Sequence, residues 1–208
     1  MLIKICGITR LEDAQAAVAC GANALGFIFW PKSPRFIDPF RARAISALLP
    51  PFVTTVGVFV NQTPDYVNGV ASLVGLAGVQ LHGEEDAAFA ATIRRPVIKA
   101  VAFGKHDLRI DAWPARYTLL LDAHDPEQRG GTGRTIDWSR AASVAAARRA
   151  VLSGGLTPEN VVEAVTTVKP FGIDVSSGVE DAPGVKNHER LKALFEAIHA
   201  VDHFPARS

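Results

Sequence analysis

Two side chains near the start of the chain have types and a spacing suited to acid–base chemistry. Lys4 and Cys6 lie two residues apart in the short apolar run LIKIC (2–6), which is followed by Gly7. Because side chains alternate between the two faces of a strand, both point to the same face. A nearby ammonium lowers the pKa of a thiol from about 8.5 and favours the reactive thiolate. The pair predicts a thiolate base, with a cysteine that only fills space as the alternative.

Three further strand candidates carry polar side chains on one face near their C-terminal ends. They are GVQLH (78–82) with Gln80 and His82, YTLLLD (117–122) with Asp122, and GIDVS (172–176) with Asp174 and Ser176. Strand ends are generally exposed to solvent, so a single polar residue at one strand end does not by itself indicate a functional site. Four strands with the same pattern predict a shared site.

The elements that would position these residues alternate between strand and helix along the whole chain. Strand candidates cover 2–6, 24–29, 54–60, 78–82, 97–101, 117–122, 150–154 and 172–176. Eight strand–helix units in 208 residues average about 26 residues each, which predicts an α/β protein. We expect a single (β/α)8 TIM barrel over residues 1–208, near the minimal length for that fold. A doubly wound open sheet would show the same alternation.

Helix-start signals fall between these strands. Thr9 with Glu12 reads as a capping box, and Thr63 and Thr157 each precede a proline at the first helical position. The last helix candidate, 187–201, places four large apolar side chains on one face: Leu191, Leu194, Phe195 and Ile198.

Glycine-rich segments follow the last three strands. The loops after 150–154 and 172–176 contain Gly154, Gly155, Ser176, Ser177 and Gly178. Backbone N–H groups in such loops bind phosphate in barrels of this kind, although plain turns are the alternative. A third loop, HDPEQRGGTGRTIDW (124–138), suits a lid that closes over substrate, with Gly130, Gly131, Thr132 and Gly133 at its centre.

Composition narrows the class of protein. The formal net charge is +1, from 22 basic and 21 acidic residues, and 48% of residues are hydrophobic. This balance gives no reason to expect a nucleic-acid or membrane partner. Cys6 and Cys20 are expected to be reduced, because no secretory segment or long apolar run occurs in the sequence. We therefore expect a cytoplasmic protein.

Taken in order, the motifs KICGIT, GFIFWPKSPRFI, VQLHGEE, LLLDA, GGTGRTIDW, LSGGLTPENV, GIDVSSGVE and PGVKNHERL resemble the phosphoribosylanthranilate isomerase family from end to end. The resemblance implies an Amadori rearrangement in tryptophan biosynthesis, with no metal and no organic cofactor. N-(5-phosphoribosyl)anthranilate would become 1-(2-carboxyphenylamino)-1-deoxyribulose 5-phosphate.

The resemblance also assigns roles to residues. It implies Cys6 as general base, Asp122 as general acid and Arg35 as the cation that meets the anthranilate carboxylate. Asp174 would hold a hydroxyl or amine of the substrate, and three residues, Lys4, Gln80 and His82, would line the same mouth. For His82 we expect a hydrogen-bonding role rather than proton transfer. The expected partner is this small phosphosugar–anthranilate substrate, and the chain is expected to be a monomer or a homodimer.

Three other functions stay open at the level of sequence. A related phosphosugar isomerase would use two carboxylates, one of them at the end of the first strand, where this chain has Cys6. A lyase or synthase on the same scaffold would need a lysine at a strand end, for which Lys99 is the candidate. A non-catalytic barrel that binds a phosphate ligand would not need the pairing of Cys6 with Asp122.

Overall fold

A closed barrel of eight parallel strands forms the centre of the molecule, in a computed structural model that describes residues 1–102, 110–122 and 137–202. The strands follow chain order: β1 Leu2–Cys6, β2 Ala24–Ile28, β3 Thr54–Phe59, β4 Gly78–Leu81, β5 Val97–Ala102, β6 Thr118–Asp122, β7 Ala150–Leu152 and β8 Gly172–Val175. Pairing of β1 with β8 closes the sheet. The predicted (β/α)8 barrel is confirmed and the open sheet is wrong. That all 208 residues form one domain stays a prediction.

Helices cover the outside of the barrel. They are α1 Leu11–Cys20, α2 Pro39–Ser46, α3 Pro64–Val74, α4 Ala87–Ala90, α5 Trp138–Ala147, α6 Val161–Val168 and α7 His188–Asp202. A hairpin of β9 (Glu180–Ala182) and β10 (Val185–Lys186) follows β8 and was not predicted. The GGTG segment, 130–133, lies outside the described residues, so the lid stays a prediction.

In β1 the two faces of the strand have opposite chemistry, as the alternation of side chains predicts. Ile3 and Ile5 of β1 are buried in the apolar layer between strands and helices. Lys4 points to the barrel interior, where it is paired in register with Asp174 of β8. Polar side chains therefore collect inside the barrel, towards the C-terminal ends of the strands.

Helix starts follow the sequence signals only in part. Thr63 caps α3 by accepting from the backbone N of Tyr66 at 3.4 Å, as predicted. The capping box at Thr9 is wrong, because Thr9 Oγ1 donates to the carbonyl of Gly184 at 2.5 Å. Thr157 is not a helix cap either, since α6 begins at Val161.

None of the helices that can be described is long and apolar enough to cross a membrane.

Candidate active site

The thiol of Cys6 lies at the interior end of β1, beside a buried ion pair. Lys4 Nζ lies 2.8 Å from Asp174 Oδ1, and both side chains are buried. Asp174 Oδ1 forms an ion pair with Lys4, but none of the described residues donates a hydrogen bond of regular geometry to it. The strand register places Lys4 directly beside Asp174. The ammonium of Lys4 therefore interacts with that carboxylate as well as with the thiol of Cys6.

This arrangement corrects the prediction of a lowered thiol pKa. Burial raises the pKa of Cys6, and the negative charge of Asp174 raises it further, while Lys4 and Lys186 lower it. The net pKa lies above the ordinary value for a thiol. For Lys4, burial lowers the pKa, but the attraction of Asp174 and Cys6 outweighs burial and the net pKa is raised. The predicted lowering is wrong because desolvation outweighs the neighbouring cation.

A line of hydrogen bonds crosses the barrel from β1 to β6. Lys4 Nζ donates to Gln80 Oε1 at 3.0 Å, so the amide nitrogen of Gln80 faces His82 Nδ1, 2.9 Å away. That amide must donate, which assigns the proton of the imidazole ring to Nε2. His82 Nε2 then donates to Asp122 Oδ2 at 3.0 Å. The structure thus joins polar side chains from β1, from β4 and the residue after it, and from β6 in one line of hydrogen bonds, in which His82 bonds on both ring nitrogens.

Gly26 of β2 provides the space in which the Cys6 thiol sits, a feature that sequence reasoning missed. It is paired in register with Cys6. A Cβ added at Gly26 would lie 2.7 Å from Cys6 Sγ and 3.1 Å from Lys4 Cε, closer than side chains pack. The absence of a side chain there gives the sulfur its position. The strand pattern alone could not show this, because it does not state which neighbour faces the thiol.

Arg35 lies over the turn at the end of β1, and its guanidinium already has a carboxylate partner. Its Nε and Nη2 bind Glu180 in a bidentate ion pair, with Nη2 2.7 Å from Oε2. Gly7, at φ 76°, makes room for Arg35, since a Cβ there would lie 2.7 Å from Arg35 Cδ. Among the described residues, none accepts from Nη1, which is left for another anion. Glu180 is a second residue that sequence reasoning missed; a glutamate after a predicted phosphate loop gave no distinct signal.

The two predicted phosphate loops lie against each other. A Cβ at Gly178 would collide with the carbonyl of Leu156, at the start of the neighbouring loop. Gly154 and Gly155 have φ of 85° and 65°, which favours glycine. Three backbone N–H groups, of Gly155, Ser177 and Gly178, donate to no acceptor in the described part of the chain.

The hydroxyl of Ser176, by contrast, is engaged. Ser176 Oγ donates to the carbonyl of Cys6 at 3.1 Å, so it ties the loop after β8 to the end of β1. The predicted contact of Ser176 with phosphate stays a prediction. Only the backbone of Ser176 could make this contact without breaking the hydrogen bond to Cys6.

Lys99, the candidate for a lyase lysine, belongs to the outer layer. Its Nζ donates to the carbonyl of Gly83 at 2.5 Å and to Glu85 Oε2 at 3.0 Å. Strand register places it beside Leu81 and Leu119, which pack against helices. This geometry removes the candidate for Schiff-base chemistry.

The described residues contain no cluster of three or more His, Cys, Asp or Glu side chains placed to hold a metal ion. A depression of about 530 Å³, lined among others by Arg95, Arg116 and Arg149, lies at the N-terminal ends of the strands. It contains none of the predicted site residues.

The chain matches known proteins over nearly its whole length. Residues 3–197 match the family model described as N-(5'-phosphoribosyl)anthranilate (PRA) isomerase. The N-(5'-phosphoribosyl)anthranilate isomerase of Citrifermentans bemidjiense is 50% identical over 193 residues, which cover 92% of this chain and 94% of that protein.

Solved structures with the same name are also similar. A phosphoribosylanthranilate isomerase in complex with reduced 1-(o-carboxyphenylamino)-1-deoxyribulose 5-phosphate has a TM-score of 0.85 at 45% identity, covering 96% of this chain and 99% of that one. Monomers generated from the dimeric enzyme of Thermotoga maritima give a TM-score of 0.84 at 43% identity, with the same coverage.

Proposed function

Because the chain belongs to the N-(5'-phosphoribosyl)anthranilate isomerase family, whose members catalyse a step of tryptophan biosynthesis, we propose that it performs this isomerisation with Cys6 as base and Asp122 as acid. The observation that carries the assignment is the line of hydrogen bonds through Lys4, Gln80 and His82, which joins the strand of Cys6 to Asp122. It supports a shared acid–base site at the C-terminal ends of the strands.

Asp122 acts first, as a proton donor. The bond between C1 and the furanose oxygen of the substrate breaks, and its electron pair stays on that oxygen, which takes the proton from Asp122. The nitrogen lone pair forms a C=N bond, so the product of this step is an open-chain iminium. The Nε2–H of His82, donated to Asp122 Oδ2, orients the carboxyl group towards the substrate.

Cys6 acts second, as a proton acceptor. Its thiolate takes the proton on C2, the electrons of that bond form C1=C2, and the iminium electrons return to nitrogen. The resulting enolamine gains a proton at C1 and loses one from its C2 hydroxyl, which gives the ketone. A thiol with a raised pKa is the stronger base once ionised, so burial of Cys6 suits this step.

The two anionic groups of the substrate would be held on the same rim. The unbonded N–H groups of Gly155, Ser177 and Gly178 support phosphate binding. Nη1 of Arg35 supports binding of the anthranilate carboxylate, with the guanidinium oriented by Glu180. Asp174 Oδ1 accepts a hydroxyl or amine of the substrate. The proposed proton transfers use side chains of this chain alone.

Two substitutions test the acid–base pair. Cys6→Ser and Asp122→Asn should each lower kcat by about 10²- to 10⁴-fold, because each removes one proton transfer. Turnover is followed by the loss of anthranilate fluorescence, and binding of the reduced product analogue by calorimetry. Cys20→Ser, which changes a partly buried thiol on α1, is the matched control and should keep full activity. Full activity of either test variant would overturn the assignment.

Assembly and location go beyond the acid–base site. We propose a homodimer, since the Thermotoga maritima enzyme is described as dimeric and large apolar side chains are exposed at the N-terminal face of this barrel. The cytoplasmic location stays a prediction.

A further inference from the structure

One buried ammonium, which the proposed chemistry does not use, lies directly behind the site. The side chain of Lys186, on β10, is 0% exposed. Its Nζ donates to the carbonyl of Cys6 at 2.6 Å, to the carbonyl of Ser176 at 3.1 Å and to Glu180 Oε1 at 2.7 Å. The three protons of the ammonium therefore have three acceptors, and two of these are the backbone at the ends of β1 and β8.

The same ammonium is linked to the cation of the site. Glu180 is 4% exposed and binds Lys186 through Oε1 while it binds Arg35 through both oxygens. The backbone N of Gly184 donates to Oε1 as well, at 3.3 Å. Arg35 in turn packs over Gly7, the residue that follows Cys6. A continuous chain of contacts thus runs from the Cys6 carbonyl through Lys186 and Glu180 to the guanidinium.

We infer that Lys186 and Glu180 are positioning residues that fix the Cys6 base and the Arg35 cation relative to each other. The inference rests on the proposed function, because it assigns no chemistry of its own to either residue. Lys186 holds the backbone of Cys6, and Glu180 holds two of the three nitrogens of Arg35, which leaves Nη1 for the substrate carboxylate. One hairpin after β8 thereby sets the distance between the proton acceptor and the anion-binding side chain.

Lys186 also acts on the Cys6 thiol through its charge. The charged groups that face this thiol are Lys4 on β1, Asp174 on β8 and Lys186 on β10. Lys186 lowers the pKa of Cys6 and thus opposes burial and Asp174. Loss of the Lys186 charge should therefore raise the thiol pKa further, which a purely structural residue would not do.

The test compares Lys186→Met and Glu180→Gln with a matched pair of variants. Lys99→Met and Glu85→Gln remove the same types of buried charge from a pair that also involves a backbone carbonyl, on the outer side of β5. All variants are made in a Cys20→Ser background, so that iodoacetamide reports Cys6 alone. Urea unfolding first shows which variants are folded, and only the folded fraction is counted.

For Lys186→Met we expect kcat to fall at least tenfold and the pH midpoint of Cys6 alkylation to rise by at least half a pH unit. For Glu180→Gln, which keeps the shape of the side chain, we expect KM to rise at least fivefold with a smaller change in kcat. The Lys99 and Glu85 controls should lose stability but keep the alkylation midpoint and KM.

The inference is overturned if folded Lys186→Met keeps both kcat and the alkylation midpoint, or if folded Glu180→Gln keeps KM. It is also overturned if the controls change these quantities equally. Should Lys186→Met not fold, Glu180→Gln alone decides through KM. Failure of the proposed function gives a different result, namely wild-type turnover that survives Cys6→Ser.

Discussion

At the scale of single residues, burial and the neighbouring lysines shift the pKa of Cys6 in opposite directions. Cys6 is 6% exposed, and burial raises the pKa of its thiol although two lysines lie near it. The carboxylate of Asp174 takes up much of the Lys4 charge at 2.8 Å. A sequence pattern places a cation two residues from Cys6 and an aspartate on the last strand, but it shows neither that Lys4 and Asp174 pair in register nor how deeply the thiol is buried, and burial is the largest cause of the shift. That is why the direction of the pKa shift could not be predicted.

Gly26→Ala should lower activity by displacing the thiol. The new Cβ would lie 2.7 Å from Cys6 Sγ and 3.1 Å from the Cys6 Cα, so both the sulfur and the strand must shift. We expect kcat to fall about 10- to 100-fold, because a displacement near 1 Å at a reacting group has this effect. Overpacking should also cost about 1–3 kcal/mol of unfolding free energy.

The control for this change is Gly69→Ala in α3, where a Cβ meets no atom within 4 Å. It should keep kcat and gain about 0.5–1 kcal/mol in urea unfolding, since glycine disfavours helix. If Gly26→Ala kept wild-type kcat, the glycine would not be what positions the sulfur.

At the scale of elements, short apolar runs rich in β-branched residues located every barrel strand, because these strands are buried between the barrel interior and the surrounding helices. Helix starts were less predictable. Thr63 caps α3 as expected, but Thr9 donates its hydroxyl to Gly184, a residue distant in sequence. The β9–β10 hairpin was missed, since its two strands are three and two residues long and carry no alternation. Glu180 and Lys186, which it brings to the site, were missed for that reason.

Asp13 joins the first helix of the chain to the β9–β10 hairpin and the last helix. Its side chain is fully buried and accepts from Arg10 Nη2 at 2.7 Å, from the backbone N of Lys186 at 3.0 Å and from His188 Nε2, 2.9 Å away. Burial alone would raise the pKa of Asp13, but these donors outweigh burial and the net pKa is lowered. The charged carboxylate therefore stabilises the folded state.

Asp13→Asn should cost about 2–4 kcal/mol of unfolding free energy at pH 7, because it removes a buried charged acceptor from three hydrogen-bond donors. A carboxyl group whose pKa is lowered in the folded state stabilises that state at pH values above its unfolded pKa of about 4. This contribution disappears as the pH falls through the folded-state pKa. The difference in unfolding free energy between wild type and Asp13→Asn should thus become smaller below about pH 4, as measured by urea unfolding at a series of pH values.

Asp65→Asn, an exposed position in the first turn of α3, is the control for this series. Its cost should stay below about 1 kcal/mol, the usual limit for a charge at a helix N-terminus. If the loss of unfolding free energy in Asp13→Asn stayed constant from pH 7 to about pH 3, this result would contradict a charged, hydrogen-bonded Asp13.

At the scale of the whole molecule, the two ends of the barrel differ in chemistry. The C-terminal end carries the polar residues of the proposed site, whereas the N-terminal end exposes large apolar side chains beside strand starts: Met1, Leu2, Phe52 and Phe171. Phe52, before β3, is 96% exposed. Large apolar side chains exposed at one end of a molecule are typical of an interface between protein chains. A homodimer formed through this end would leave both sites accessible.

Phe52→Asp should therefore separate the dimer without loss of catalysis, because it places a charge in the apolar surface and lies at the end of the barrel opposite the site. In sedimentation velocity we expect the wild type at twice the mass of one chain and Phe52→Asp at the mass of one chain, with kcat within about twofold. Phe40→Asp, at the start of α2, alters a phenylalanine that is also exposed, at 68%, but lies away from the N-terminal end, and it should stay dimeric. A wild type that sediments as a single chain at micromolar concentration would rule out the homodimer, and a dimeric Phe52→Asp would rule out this surface as its interface.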